Sequence, residues 1–163
     1  MVLLLVAACW PQIGLGAGAE SSGDDHFFVQ EHTKRYALKA DFADVMEDLE
    51  LAITGQGLVI NHVSHIGNML ERTRSAAESS KRLFLEAKAV EFCSATLSRK
   101  MMEADPHNII FCPYIIFIYV LPEQPDIVWL AYRRPTPVGS LASRDALSAV
   151  ESLLDEIIHV VVD

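Results

Sequence analysis

The chain has 163 residues, of which 51% are hydrophobic and 21% are charged, and its formal net charge is -9. Such an apolar share excludes an intrinsically disordered chain, and the length is typical of a single domain. The chain has 22 acidic and 13 basic residues. This balance argues against a nucleic-acid partner, because binding to its phosphates requires clustered Lys and Arg side chains.

The first part of the chain, MVLLLVAACWPQIGLGAGA, carries no charged residue and is predicted to be a secretory signal peptide over residues 1–19. The apolar run ends at Ala17-Gly18-Ala19, a small-residue pattern typical of a cleavage site, although a basic segment before the run is missing. A second interpretation is a lipoprotein leader, in which Val6-Ala7-Ala8 precedes a lipid-modified Cys9 that anchors the domain on a membrane. An uncleaved anchor is the third. The first two predict an exported, periplasmic protein.

A strand followed by a helix opens the mature chain. Residues 20–40 are assigned to an N-terminal strand segment, because the stretch from His26 to Leu38 alternates and is rich in β-formers. Residues 41–163 are assigned to the domain proper, which begins with an amphipathic helix capped by Asp41 and closed by a glycine. The segment LVINHVSHI is predicted to be a second strand, followed by the weakly helical GNMLERTRSAAESS.

The second half is predicted to add three strands and two helices. AVEFC is a short strand leading into a helix with Ser94 as its N-cap and Asp105-Pro106 as its stop. IIFCPYIIFIYVL is a central strand, with Pro113 at its start or at a bulge, because it is too short to span a membrane. The turn PEQPD joins it to IVWLAYRRP, and a long C-terminal helix follows from Ser143. This hairpin requires antiparallel pairing, which favours an α+β fold.

Cys93 and Cys112, the two thiols of the mature chain, are the first candidates for chemistry. Cys93 directly precedes a helix N-terminus, where the dipole and free amides stabilise a thiolate, and Cys112 lies near the start of the central strand. Three interpretations are open: two small core residues, a disulfide of an exported protein, or a pair with a ligand or redox role.

His65 and Met69 form the second candidate pair. His62 and His65 fall on opposite faces of a continuous strand, which disfavours a joint metal site. His65 lies at the predicted strand end with Met69 four residues on, and a histidine near a methionine or cysteine suits haem or copper. The alternative is an exposed or internally hydrogen-bonded histidine.

Basic residues form a third group, composed of Arg72, Arg74, Lys81-Arg82 and Arg133-Arg134. In an acidic chain they could form a local anion site. The alternative is that they are solvated charges or partners of nearby carboxylates, as most surface cations are.

Three segments in this order and spacing resemble the domain-of-unknown-function 302 family: DFADVMEDLELAITGQGLVI, VEFCSATLSRKMMEADPHNIIFCPYIIFIYV and VWLAYRRP. The resemblance implies a compact two-layer α+β domain, with a mostly antiparallel sheet covered by helices and often a homodimer. Exported members of similar sequence imply a periplasmic role near sulfur metabolism or electron transfer. The family brings no catalytic set. The resemblance is strongest in the segments that hold His65, Met69, Cys93 and Cys112.

Three functional hypotheses follow. The first is a non-enzymatic exported protein that binds a small ligand, or holds a haem or a metal ion between protomers, through His65, Met69 or the cysteines Cys93 and Cys112. The second is a thiol-based redox protein or sulfur carrier that uses Cys93, and the third is a structural module that presents its sheet or C-terminal helix to a protein partner. An enzyme is disfavoured and no catalytic residue is assigned, because nucleotide-binding, hydrolase and CxxC motifs are absent.

Overall fold

The computed structural model describes residues 27–78 and 80–163 and shows one six-stranded sheet with helices packed on it. In chain order the strands are β1 (Phe27–Gln30), β2 (Thr33–Lys39), β3 (Val59–Ser64), β4 (Glu86–Cys93), β5 (Tyr114–Val120) and β6 (Ile127–Arg133). The helices are α1 (Phe42–Gly55), α2 (Ile66–Thr73), α3 (Ala95–Ala104) and α4 (Leu141–Val162), with a 3-10 helix over Pro106–Phe111. Neighbouring strands are antiparallel in the order β1-β2-β6-β5-β4-β3. The predicted leader with Cys9 lies outside the described residues.

Helices α1, α3 and α4 cover one face of the sheet and form the core with it. The alternation in β5 shows how: Tyr114, Ile116, Ile118 and Val120 are buried, whereas the residues between them are half-exposed. The buried stripe of α4 packs on these positions, as the helical spacing of its apolar residues predicts. The predicted α+β fold, an antiparallel sheet covered by helices, is confirmed.

Helix α2 lies on the opposite face, against β4. A Cβ atom on Gly67 would stand 2.9 Å from the backbone nitrogen of Ala87, so only glycine permits this close approach. Next to α2, the half-buried side chains of Phe117, Tyr119 and Trp129 line the same face, and the rings of Tyr119 and Trp129 stack with centroids 6.4 Å apart. This second face is therefore only partly covered by the helices of the described residues.

Side-chain caps begin three of the helices. Asp41 accepts a hydrogen bond from the backbone of Ala43 at the start of α1, and Ser94 accepts one from Leu97 at the start of α3, as predicted. Ser140 caps α4, which begins slightly before the predicted start. Over the part of the chain that the structure describes, no helix is long and apolar enough to span a bilayer.

Two predicted strands differ from the structure. The single N-terminal strand is two strands, because a turn after Gln30 separates β1 from β2, and β2 then pairs with β6 inside the sheet. The predicted central strand begins only after Pro113, since Pro106 and the Asp105 side chain, which accepts from the backbone of His107, start a 3-10 helix first.

Candidate functional site

The structure divides the four predicted site residues into two pairs at opposite ends of β3. Val59, at the start of β3, lies opposite Cys93, whereas His65 directly follows the other end of the strand. At about 3.3 Å per residue, the two ends are roughly 20 Å apart. Among residues 27–78 and 80–163, no group of three or more His, Cys, Asp or Glu side chains is arranged to hold a metal ion.

His65 and Met69 lie together on the surface of α2. His65 is the N-cap residue without a capping side-chain bond, and its carbonyl accepts from the backbone N–H of Met69 at 3.1 Å. Both side chains are exposed. His62 lies on β3, after a shift in strand register at Ile60, and is exposed as well. Neither Cys93 nor Cys112, the thiols of the described residues, lies beside this pair.

Cys93 and Cys112 meet where β4 ends and β5 begins, with their Sγ atoms 3.0 Å apart. Both are half-buried, and the hydroxyl of Ser98 lies 3.8 Å from the Sγ of Cys112 and 3.0 Å from the hydroxyl of Tyr114. Burial, together with the hydrogen bond to Cys112, raises the pKa of Cys93 to about 11. The predicted thiolate stabilisation at Cys93 was therefore wrong. The N-cap of α3 is Ser94, as predicted, and Cys93 lies one residue before it.

A cleft of about 320 Å³ opens where β5 and β6 separate. The ladder between these neighbouring strands ends at Phe117 and Ala131, although β5 begins at Tyr114 and β6 continues to Arg133. Over this stretch β5 stays paired with β4, and β6 stays paired with β2. The cleft is thus a split inside the sheet, and residues of the 3-10 helix and of α4 contribute to its lining.

The cleft has apolar walls and a cationic rim. Its walls are formed by Ile110, Phe111, Pro113, Tyr114, Ile115, Pro135 and Leu154. Its basic residues are His32, Arg133 and Arg134. The Nε of Arg134 donates to Glu151 at 2.7 Å, whereas the exposed side chain of Arg133 has no hydrogen bond or ion pair within the described residues. Arg133 is therefore the cation available to a ligand. Of the predicted anion-site candidates, Arg133 and Arg134 both line this cleft, and Arg134 is paired with Glu151.

Behind this rim, one carboxylate gathers three donors from two strands. Asp155 accepts from Lys34 at 2.6 Å through Oδ2, and from Tyr36 at 2.6 Å and Tyr132 at 2.5 Å through Oδ1. Burial opposes its ionisation, but these donors outweigh burial and lower the pKa of Asp155. Burial, reinforced by the carboxylate, raises the pKa of both tyrosines. Lys34 also lies 3.3 Å from Glu151, the carboxylate that pairs with Arg134. The network therefore also positions the ion-pair partner of Arg134.

Sequence analysis did not single out Asp155, Tyr36 or Tyr132. The sequence contains only weak indications of these three residues. Both tyrosines occupy the buried face of an alternating strand, where a hydroxyl needs a hydrogen-bond partner. Asp155 interrupts the apolar side of the C-terminal helix between Leu154 and Ile158. Together these positions indicate a buried polar contact between the sheet and the helix.

The protein is a small α+β domain. Helices cover one face of its antiparallel sheet, and the sheet splits between β5 and β6 at one end. The chain belongs to the family described as Domain of unknown function DUF302, which matches residues 34–162. It is similar to the crystal structure of uncharacterized conserved protein DUF302 from Bacillus stearothermophilus, with 11% sequence identity and a TM-score of 0.67, over 80% of this chain and 98% of that chain. At this identity the likeness shows the fold alone. No curated protein matches the sequence.

Proposed function

We propose that the protein is a non-enzymatic binding protein for a small ligand that combines an apolar body with an anionic group. The observation that carries this proposal is Arg133, which has no side-chain partner among the described residues and lies at the rim of an apolar cleft. A guanidinium binds carboxylates and other oxyanions through two parallel hydrogen bonds. The volume of about 320 Å³ lies within the range of small-molecule sites.

The split between β5 and β6 also favours a ligand with polar atoms. Where two neighbouring strands diverge, backbone N–H and C=O groups that would face each other lose their ladder partners. Ile115 on one side and Arg133 on the other lie beyond the last ladder pair and line the cleft. A ligand in the cleft can bond to these backbone groups while its apolar body contacts Phe111 and the other walls.

A small organic anion agrees with the geometry better than a haem or a metal ion. The haem and metal hypotheses placed the ligand at His65, Met69 or the cysteines, and a site within one chain that joined a histidine to a thiol would need the two pairs in contact. The length of β3 keeps these two pairs roughly 20 Å apart. A basic rim, in contrast, directly favours a negatively charged group.

We also propose export and a homodimer. Export is supported by the charge-free apolar residues 1–19, and the homodimer by the family resemblance. The intact mass of protein purified from its native host tests export: loss of residues 1–19 supports a cleaved signal, an acylated Cys9 supports a lipoprotein, and an unprocessed chain refutes both. Light scattering tests the dimer, and a monomeric mass at micromolar concentration refutes it.

Two fluorescent probes test the ligand proposal. Anilinonaphthalene sulfonate is an apolar anion, and phenylnaphthylamine is the corresponding neutral molecule. A hydrogen bond to a charged group contributes about 1.5–3 kcal/mol, and solvent exposure places Arg133 at the lower end of that range. Arg133→Gln is therefore expected to weaken binding of the sulfonate about tenfold, since 1.4 kcal/mol is tenfold in affinity. Binding of the neutral probe should not change.

Two further variants complete the test. Arg144→Gln removes the same charge from an exposed position on α4 and should leave both affinities unchanged. Ile115→Trp fills the cleft and should weaken both probes. If Arg133→Gln binds the sulfonate as wild type does, or if Arg144→Gln weakens it equally, the cleft is not the anion site.

A further inference from the structure

The cysteine pair forms a second site that the ligand cleft does not use. Cys93 and Cys112 are fixed by rigid elements, because the β4–β5 ladder extends to the pair Phe92 and Tyr114 directly beside them. Their Sγ atoms lie 3.0 Å apart, so they need to approach by only about 1 Å to reach the length of a disulfide bond, about 2.05 Å.

The surroundings of the pair are polar and partly open. Both cysteines are half-buried rather than enclosed, and the hydroxyls of Ser98 and Tyr114 lie next to them. Inert cysteines are typically buried in apolar surroundings, whereas reactive thiols are partly exposed. The two thiols are 19 positions apart in the sequence, and the chain between them contains α3 and the 3-10 helix.

We propose that Cys93 and Cys112 form a reversible dithiol–disulfide couple that exchanges two electrons with a small-molecule disulfide. This proposal does not rest on the proposed ligand cleft, although Cys112 lies between Phe111 and Pro113 of the cleft walls. The two protein thiols are oxidised to one disulfide, and the small disulfide is reduced to two thiols.

The exchange takes place in two steps. The thiolate of Cys112 attacks one sulfur of the small disulfide, which forms a mixed disulfide and releases one small thiolate that takes up a proton. Cys93 then loses its proton and attacks the Sγ of Cys112, which releases the second small thiol and closes the internal disulfide. The backbone of Tyr114 and the side chain of Asn61 donate to Cys93, but burial outweighs them and raises its pKa to about 11, so Cys93 stays protonated at neutral pH. Cys112, whose sulfur lies 3.8 Å from the hydroxyl of Ser98, therefore attacks first.

A redox titration of the native full chain tests the couple. A Cys9→Ser background leaves only these two thiols in the sequence. The protein is equilibrated with mixtures of oxidised and reduced dithiothreitol, quenched with acid, alkylated and weighed by mass spectrometry. We expect one transition between a doubly alkylated form and an unalkylated monomer that has lost two hydrogen atoms, and reduction should reverse it without denaturant.

Three results would overturn the proposal: both thiols stay alkylatable in the most oxidising buffer, oxidation yields only disulfide-linked dimers, or the disulfide is reduced only after unfolding. Single variants in the same background test the order of attack with oxidised glutathione. Cys93→Ser should form a stable mixed disulfide at Cys112, and Cys112→Ser should react at least about tenfold more slowly at neutral pH. Equal rates in the two variants would refute Cys112 as the attacking thiol.

Discussion

Replacement of Asp155 by alanine is expected to destabilise the protein strongly, because this carboxylate is the shared acceptor of three side chains. Two of the donors are tyrosine hydroxyls on residues that are almost fully buried: Tyr36 is 5% exposed and Tyr132 is 1% exposed. The third donor, Lys34, keeps Glu151 as an ion-pair partner at 3.3 Å after the substitution. Most of the lost free energy of unfolding should therefore come from the two tyrosine hydroxyls that lose their acceptor.

The magnitude follows from these contacts. A buried hydroxyl left without its partner costs about 1–3 kcal/mol, which gives about 2–6 kcal/mol for two. The Asp155 side chain is 23% exposed, so water can reach part of the site and replace some of the lost bonds. We expect Asp155→Ala to lower the free energy of unfolding by about 3–5 kcal/mol, within the range for removal of one partner from a buried charged network.

Urea denaturation followed by circular dichroism measures this change. Glu156→Ala is the matched control, since its carboxylate is exposed on the same helix, and it should change the free energy by less than about 0.5 kcal/mol. Asp155→Asn keeps the shape and one acceptor oxygen, so it should lie between wild type and Asp155→Ala. A loss below about 1 kcal/mol for Asp155→Ala would refute the reasoning.

The dependence of the free energy of unfolding on pH in the acidic range provides a separate test of Asp155. The donors hold the pKa of Asp155 below its ordinary value of 3.8. The stabilisation is therefore present above about pH 4 and is lost as the pH falls through the folded-state pKa. The stability of wild type should begin to approach that of Asp155→Asn as the pH falls below about 4, and the difference should be lost only below the folded-state pKa.

Two further predictions concern the sheet. Because the pKa values of Tyr36 and Tyr132 are raised above the ordinary 10.0, the contribution of these tyrosines to wild-type stability should be constant below that pH and fall above it. Tyr132→Phe should reduce this alkaline loss in urea titrations, and an equal slope in both proteins would contradict it. Gly67→Ala should lower the free energy of unfolding by about 1–3 kcal/mol, because its Cβ would force α2 away from Ala87. Gly55→Ala, with nothing within 4 Å of the added Cβ, should not destabilise; equal losses would refute the contact argument.

Features that depend on neighbours in sequence were predictable. Asp41 and Ser94 are caps because a short polar side chain at a helix start can accept a backbone N–H within the same turn. Pro113 lies just before a strand because it lacks the N–H that a ladder needs. The helical spacing of apolar residues likewise placed Leu147 and Val150 in the core.

Features that depend on strand order were not predictable. The cleft exists because β6 lies between β2 and β5 and separates from β5 after Ala131, and no local pattern encodes that divergence. The contact between Cys93 and Cys112 depends on the register of β4 against β5. His65 was predicted to lie within a strand that extends to Ile66, but the strand ends at Ser64 and α2 follows.

The C-terminal position of α4 determines when the domain can fold during its synthesis. This helix supplies eight buried residues, and its Asp155 bonds to Lys34, which is made 121 residues earlier. The apolar face of the sheet therefore stays incompletely covered until residues 141–162 have been synthesised. Until then the earlier strands expose apolar surface, which makes the partly synthesised chain prone to aggregation.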